Sequence, residues 1–150
     1  MSNNFTDMNE ITVSDDKSKL NIRLIRKFLT NSYWAKGRTI GDVQKSIEHS
    51  VCFGVYKDQK QIGFARVISD FTIIAYLMDV FILEEFRGNG YSKFLLKNIF
   101  NNDRFRYVKK WQLATKDAHS LYAQFGFEQY RKPERLMEKV VIENNLAQEN

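Results

Sequence analysis

The sequence predicts a single α/β (α+β) domain, a mixed central β-sheet with helices on both faces. Three observations lead there. Apolar runs of strand length and composition occur at Val51 to Lys57, Gln61 to Ser69 and Thr72 to Leu83. Between and around them lie stretches whose apolar residues recur three and four apart, the spacing of one helix face. The length, 150 residues, is that of one domain with a real core.

The elements follow in order. Ile11-Thr12-Val13 forms a first short strand, and Asn21 caps a helix reaching about Thr30, with Leu24, Ile25, Phe28 and Leu29 on one face. A loop runs from Asn31 to Arg38. Thr39 and Asp42 have the spacing of a capping box that opens a second helix, with Ile40, Val43 and Ile47 facing inward. Two strands then flank the turn Asp58-Gln59-Lys60. The strand Thr72 to Leu83 is long enough to hold a bulge. A helix starts at Tyr91 with Tyr91, Phe94, Leu95, Ile99 and Phe100 on one side, followed by a strand at Trp111 to Thr115. A short helix around Tyr122 and two terminal strands around Pro133 complete the chain. The domain takes up residues 1–150, with the polar ends 1–8 and 143–150 expected to fray.

Composition narrows the function classes. No segment approaches the roughly 18–20 uninterrupted apolar residues of a membrane span. Met1 to Asp7 carries no apolar signal core, so a cytoplasmic protein is expected. One cysteine, Cys52, leaves no internal disulfide and no cysteine cluster, and it reads as a small core residue. Two distant histidines, His49 and His119, do not suggest a metal site. The net charge is +5, with basic clusters at Arg104, Arg106, Lys109 and Lys110 and at Arg131 and Lys132. Such clusters can steer an anionic ligand. Nucleic acid is disfavoured, because there is neither a regular basic helix nor aromatic-basic interleaving.

The most informative residues are Arg87, Gly88, Asn89, Gly90, Tyr91, Ser92 and Lys93, at the passage from strand to helix. Two glycines there let backbone N–H groups approach a ligand. The free amides of the helix's first turn favour an anion, above all a phosphate, and Arg87 adds a cation. The alternative is a glycine turn that merely joins the two elements. Spacing excludes a P-loop, since Tyr91 and Ser92 follow Gly90, and a dinucleotide fingerprint, since Lys93 stands where a third glycine belongs.

A second block runs from Leu113 to Phe127, with Thr115 or Asp117 placed to cap its helix and Gly126 to end it. Together the two blocks, residues 76–127, resemble the GNAT N-acetyltransferase family. Arg87, Gly90 and Ser92 fill that family's first motif, with serine a departure at the last position. In the second, Thr115 replaces an asparagine, while Leu121-Tyr122 and Gly126-Phe127 match.

The resemblance implies a transferase that moves an acetyl group from acetyl-CoA, a co-substrate, to an amine acceptor, with no metal. It places the pantetheine arm on the backbone of Val80, Phe81 and Ile82, and the pyrophosphate on the Arg87 to Lys93 cradle, with Thr115 nearby. It carries the general acid onto Tyr122, whose phenol has a pKa near that of a departing thiol. The acceptor would lie against the loop holding Trp34 and Arg38, where Arg38 and Arg66 can grip a carboxylate and Asp70 or Asp79 can orient an amine. Asp79 stands inside an apolar strand, where a carboxylate must be paired or functional. It is therefore a candidate base or, alternatively, the partner of Arg66. His119, three residues before Tyr122, is a second candidate base, and water a third carrier. A coenzyme A-binding module without catalysis is the alternative function, and a homodimer is one assembly open to the chain.

Overall fold

Among the described residues, six strands cross one sheet in the order of the sequence. They are β1 (Asn4–Met8), β2 (Ile11–Ser14), β3 (Val51–Lys57), β4 (Lys60–Ser69), β5 (Ile74–Ile82) and β6 (Lys110–Gln112). Among the described residues, four α-helices accompany them: α1 (Ile22–Thr30), α2 (Ile40–Glu48), α3 (Tyr91–Phe100) and α4 (His119–Ala123). The computed structural model describes the backbone of residues 4–8 and of 11–142, with side chains from 11 to 142. Every neighbouring pair of strands is antiparallel except β5 and β6, which are parallel, so the sheet is mixed as expected.

Two apolar layers cover the sheet, one on each face. Ile25 and Leu29 of α1 and Val43 and Ile47 of α2 pack with Phe64 and Phe81 on one side. Phe94, Leu95, Leu96 and Ile99 of α3 pack with Val13, Phe53, Val67 and Leu77 on the other, where Tyr122 of α4 also lies. The local signals of the sequence act here. The Asn21 carboxamide accepts from the Leu24 amide, and Thr39 with Asp42 makes the full capping box.

Four expectations differ from the fold. Ile40 is 40% exposed at the first position of α2, ahead of the inward-facing Val43 and Ile47. Asn4–Met8, placed in a fraying end, is an edge strand whose backbone pairs with β2. Residues 143–150 lie outside the described residues. Around Pro133 no strand forms among the described residues; a 3-10 turn spans Pro133–Arg135, as a proline at its first position favours. The strand expected at Trp111 to Thr115 pairs only over Lys110–Gln112 and then leaves β5. No helix of the described residues is long and apolar enough to cross a membrane.

Candidate active site

The parting of β5 and β6 creates the site. Their register covers Ile74 to Tyr76 against Lys110 to Gln112, and beyond it the β5 edge has no strand partner among the described residues. A cleft of about 450 Å³ opens there, with Leu77, Met78, Asp79 and Val80 on one wall and Leu113 to Ala118 with Tyr122 on the other. Trp34 and Arg38 line it from the α1–α2 layer, while Tyr122 belongs to the α3 layer. The cleft thus runs through the sheet, open to chemistry from both faces.

A bulge shapes the β5 wall. Phe64 pairs with Phe81 and Arg66 with Met78, so Asp79 and Val80 together oppose Ala65. Ala75 and Leu77 before the bulge face the α3 layer; Phe81 after it faces the α1 layer and stacks on Phe28 at 3.9 Å. Asp79 sits at the switch with φ of 56°. This left-handed backbone is one that aspartate tolerates better than bulkier residues. It sends the carboxylate toward the α1–α2 layer. There Asp79 Oδ2 accepts from Arg66 Nε and from Arg38 Nη1, both at 2.8 Å, and Oδ1 accepts from Trp34 Nε1 at 3.1 Å. The Asp79 side chain is 1% exposed. Arg66 also donates from Nη1 to Ser50 Oγ at 3.1 Å and from Nη2 to Met78 Sδ at 3.2 Å.

The network makes Asp79 the partner of Arg66, the second of the two roles open to it, with three donors on its two oxygens. Arg66 is buried behind the cleft and does not line it. Asp70 also leaves the site: its Oδ1 accepts the amides of Thr72, Ile73 and Ile74, which closes the β4–β5 turn. Those bonds hold its carboxyl below the usual range. His119, at the start of α4, is exposed and does not line the cleft.

Tyr122 is where the second motif places it. It is 8% exposed, braced edge-on by Phe127 at 5.9 Å, and lines the cleft. Among the described residues nothing hydrogen-bonds its hydroxyl. Burial, with smaller contributions from Tyr33 and Asp117, pushes the phenol up to about 12, so it is protonated at neutral pH. Thr115 also lines the cleft; its Oγ1 accepts from the Ala118 amide at 3.1 Å, just before the helix, and α4 has no side-chain cap of its own. Its hydroxyl hydrogen remains available to donate.

The cradle follows from the end of β5. Gly88 and Gly90 have φ of 82° and 81°, and Gly90 is the N-cap of α3, with no side chain on the amides of the first turn. A Cβ built at Gly88 would meet nothing within 4 Å, so the loop is open to approach. Asn89 Nδ2 donates to the carbonyls of Phe86 and Arg87, which folds the loop back on itself. Arg87 Nε donates to the Ile82 carbonyl at 2.9 Å, anchoring the guanidinium where β5 ends. Tyr91 is buried in the α3 layer and contributes its amide, while Ser92 and the exposed Lys93 follow in the first turn. Phe81 is likewise buried, so only its backbone is available.

The basic clusters are not at this cradle. Arg104 to Lys110 follow the far end of α3, about 15 Å away along a ten-residue helix. Arg131 and Lys132 border a separate groove outside β6. In return, the structure adds Tyr33 of the α1–α2 loop to the lining of the cleft. Its hydroxyl accepts from the Lys116 amide at 3.1 Å and the Lys116 ammonium lies 5.2 Å from its ring, so the α1–α2 loop bridges the mouth of the cleft. No local pattern marks Tyr33, because its partner is 83 residues away. Cys52 is buried and its thiol is pushed up to about 12 by burial, as befits a core residue.

Known proteins share this fold. The acetyltransferase (GNAT) domain model matches residues 48–129. A candidate GNAT acetyltransferase from Xanthomonas campestris superposes with a TM-score of 0.86 at 45% identity, covering 90% of this chain and 96% of its own. A GNAT family acetyltransferase from Streptococcus pneumoniae shares the fold at 20% identity, with a TM-score of 0.66 over 90% and 99% of the two chains. A candidate acetyltransferase of Gibberella zeae is 26% identical, with 80% of each chain covered. The cleft between parted parallel strands, the α3 amides that Gly90 presents without a side-chain cap and these similarities have one common reading: the chain belongs to the GNAT acetyltransferase family.

Proposed function

We propose that the protein is an acetyl-CoA-dependent N-acetyltransferase acting on a primary amine of a small molecule or peptide. The observation that carries this reading is the cleft itself. It sets an unpartnered stretch of β5 against a protonated Tyr122 hydroxyl, and the α3 amides follow the end of that same strand in the chain. The residues suit the donor: Arg87 and the amides of Gly88 to Lys93 would hold its pyrophosphate, and the β5 edge at Val80 to Ile82 its amide-rich arm. Thioester carbonyl carbon is the group the donor supplies for attack.

The chain's residues would act on the transfer as follows. Backbone N–H groups of the bulged β5 edge orient and polarise the thioester carbonyl. The acceptor enters from the side of Trp34, Arg38 and Tyr33, so that its neutral nitrogen meets the carbonyl across the sheet. As the C–N bond forms and the C–S bond breaks, Tyr122 gives its proton to the leaving sulfur. The ammonium proton leaves to water in the open cleft, since Asp79 is committed to its arginines. Arg38, with 12% of its side chain exposed, is the cation an acidic acceptor would meet, which favours small amphoteric amines such as amino acid derivatives.

The test is thiol release from acetyl-CoA over a panel of amines, with calorimetry of the donor alone. Turnover with at least one small amine supports the reading. Donor binding without release on any amine would instead indicate a coenzyme A-binding module, and no donor binding would remove both.

A further inference from the structure

The cleft holds one carboxylate that nothing in the fold uses. Among the described residues two acids line it, Asp79 and Asp117. Asp79 is buried and its two oxygens accept three donors. Asp117 is exposed and has neither a hydrogen bond nor an ion pair among the described residues. Its place ahead of α4 suits a cap, yet Thr115 Oγ1 takes the Ala118 amide and no side chain caps the helix. The adjacent Lys116 does not neutralise it, because that ammonium lies over the Tyr33 ring, 5.2 Å from its centre. An unpaired acid is ordinary on an open surface. This one faces a cleft of about 450 Å³.

The surroundings of Asp117 belong to the acceptor side. The Lys116 amide donates to the Tyr33 hydroxyl, which ties the turn carrying Asp117 to the α1–α2 loop. Burial is the main cause of the raised Tyr122 phenol, but Tyr33 and Asp117 add to it, so both lie near that hydroxyl. Arg38 lines the same cleft and supplies a cation. Opposite charges in one cleft complement a ligand that carries both, a carboxylate for Arg38 and an ammonium for Asp117.

We propose that Asp117 binds the acceptor's nitrogen: its carboxylate accepts hydrogen bonds from the ammonium and turns it toward the thioester carbonyl. The assignment rests on the transferase reading above and defines its acceptor as a primary amine that enters as its cation. A primary ammonium has three N–H donors, so two can face the Asp117 oxygens while water takes the third proton. The lone pair so freed attacks the carbonyl carbon. As the amide forms and the C–S bond breaks, the nitrogen loses a second proton, which restores the one Tyr122 gives to sulfur. Asp117 orients the nitrogen and ends the reaction as it began, a carboxylate.

Thiol release from acetyl-CoA with the Asp117→Asn and Asp117→Glu variants tests the assignment, using the amine of the panel that the native chain turns over best. Asn keeps the size of the side chain and removes its charge. Asp117→Asn should raise the KM for that amine roughly tenfold or more, the loss of one charged hydrogen bond. Its kcat and its affinity for acetyl-CoA by calorimetry should stay within a factor of about three, and Asp117→Glu should recover most of the KM. The rise should be alike for amines with and without a carboxylate, which separates Asp117 from Arg38. Native turnover with an unchanged KM in Asp117→Asn would overturn the role of Asp117 and leave the transferase reading standing. A loss of donor affinity, or of circular dichroism, together with the KM rise would overturn it too, by making Asp117 a structural residue of the turn. A native chain that binds acetyl-CoA but acts on no amine would remove the transferase reading and this assignment with it.

Discussion

Arg38 and Arg66 share one oxygen of Asp79, each at 2.8 Å, the first from the α1–α2 loop and the second from β4. The carboxylate thereby ties a cleft-lining loop to the sheet. Removing it leaves two largely buried cations without compensation, which costs about 3–5 kcal/mol. The backbone adds a second effect, because φ at Asp79 is 56° and a β-carbon in that region costs about 1–2 kcal/mol. Asp79→Ala should therefore lower stability to urea by about 3–5 kcal/mol. Asp79→Gly should lose about 1 kcal/mol less, since glycine adopts this backbone freely. Equal losses would show that the bulge does not impose the conformation.

The two arginines differ in what they face. Arg66 is buried behind the wall, whereas Arg38 lines the cleft. Arg38→Ala should raise the Michaelis constant for an acidic amine roughly tenfold, the loss of one charged hydrogen bond, and leave that for the donor unchanged. Steady-state kinetics with paired acidic and neutral amines reads this directly. An equal rise for neutral amines would place Arg38 in loop positioning alone.

At the cradle, backbone conformation and ligand approach coincide. Gly90 caps α3 at φ of 81°, and any side chain there must strain the turn that presents the amides of Tyr91 to Lys93. Gly90→Ala should lower stability by about 1–2 kcal/mol. It should also weaken donor binding by roughly tenfold or more, because the amides no longer converge. Calorimetry with acetyl-CoA measures the second effect, and unchanged affinity would take the cradle out of donor binding.

Much of this was legible in the sequence because it is local. Asn21, Thr39 with Asp42, and Gly90 act on amides within four residues, so caps and helix starts could be read directly. Tyr122 was found through its motif, and the bulge through the length of its strand. What failed depended on distance or on edges. Asp79, Arg38 and Trp34 lie 41 and 45 residues apart, and nothing in a linear pattern distinguishes a base from the hub of an ion-pair network. Asp70 looked like a free carboxylate because Asx-type bonding to a following turn has the same composition as a binding loop. The segment 136–142 reads as a strand by composition, yet it is exposed and outside the sheet, because strand propensity acts only where a neighbouring strand is at hand.

Alkaline stability should report three buried acids. Burial raises the Tyr56 and Tyr122 hydroxyls from 10 and the Cys52 thiol from 9.0, each to about 12. A folded pKa above the unfolded one means that the unfolded chain releases protons first. Stability is therefore complete below about pH 9 and falls as pH rises from there toward 12. Tyr56 has a further property: its hydroxyl is buried without a partner among the described residues. Tyr56→Phe keeps the ring and removes an unsatisfied group, so stability at pH 7 should hold or rise. Its alkaline loss should be shallower than that of the native chain. Urea midpoints from pH 7 to 11 would check both, and a lower midpoint at pH 7 would mean that the hydroxyl has a stabilising contact.

Tyr122→Phe separates chemistry from binding. The ring packs against Phe127 and fills the α3 layer, so phenylalanine preserves the fold and the wall of the cleft. The substitution removes only the hydroxyl of a side chain that lines the cleft. A positioned general acid contributes roughly 10²–10⁴-fold to rate, so turnover should fall by about that factor while the donor's dissociation constant stays within a factor of about two. The pH profile adds a sign. With the phenol at about 12, the native enzyme should keep Tyr122 protonated throughout the range in which it is folded. The alkaline limb of turnover below pH 10 should consequently be the same in both proteins, the variant's rates lying lower by a constant factor. A variant with native turnover would move the leaving-group proton to water and leave Tyr122 as a packing residue of the α3 layer.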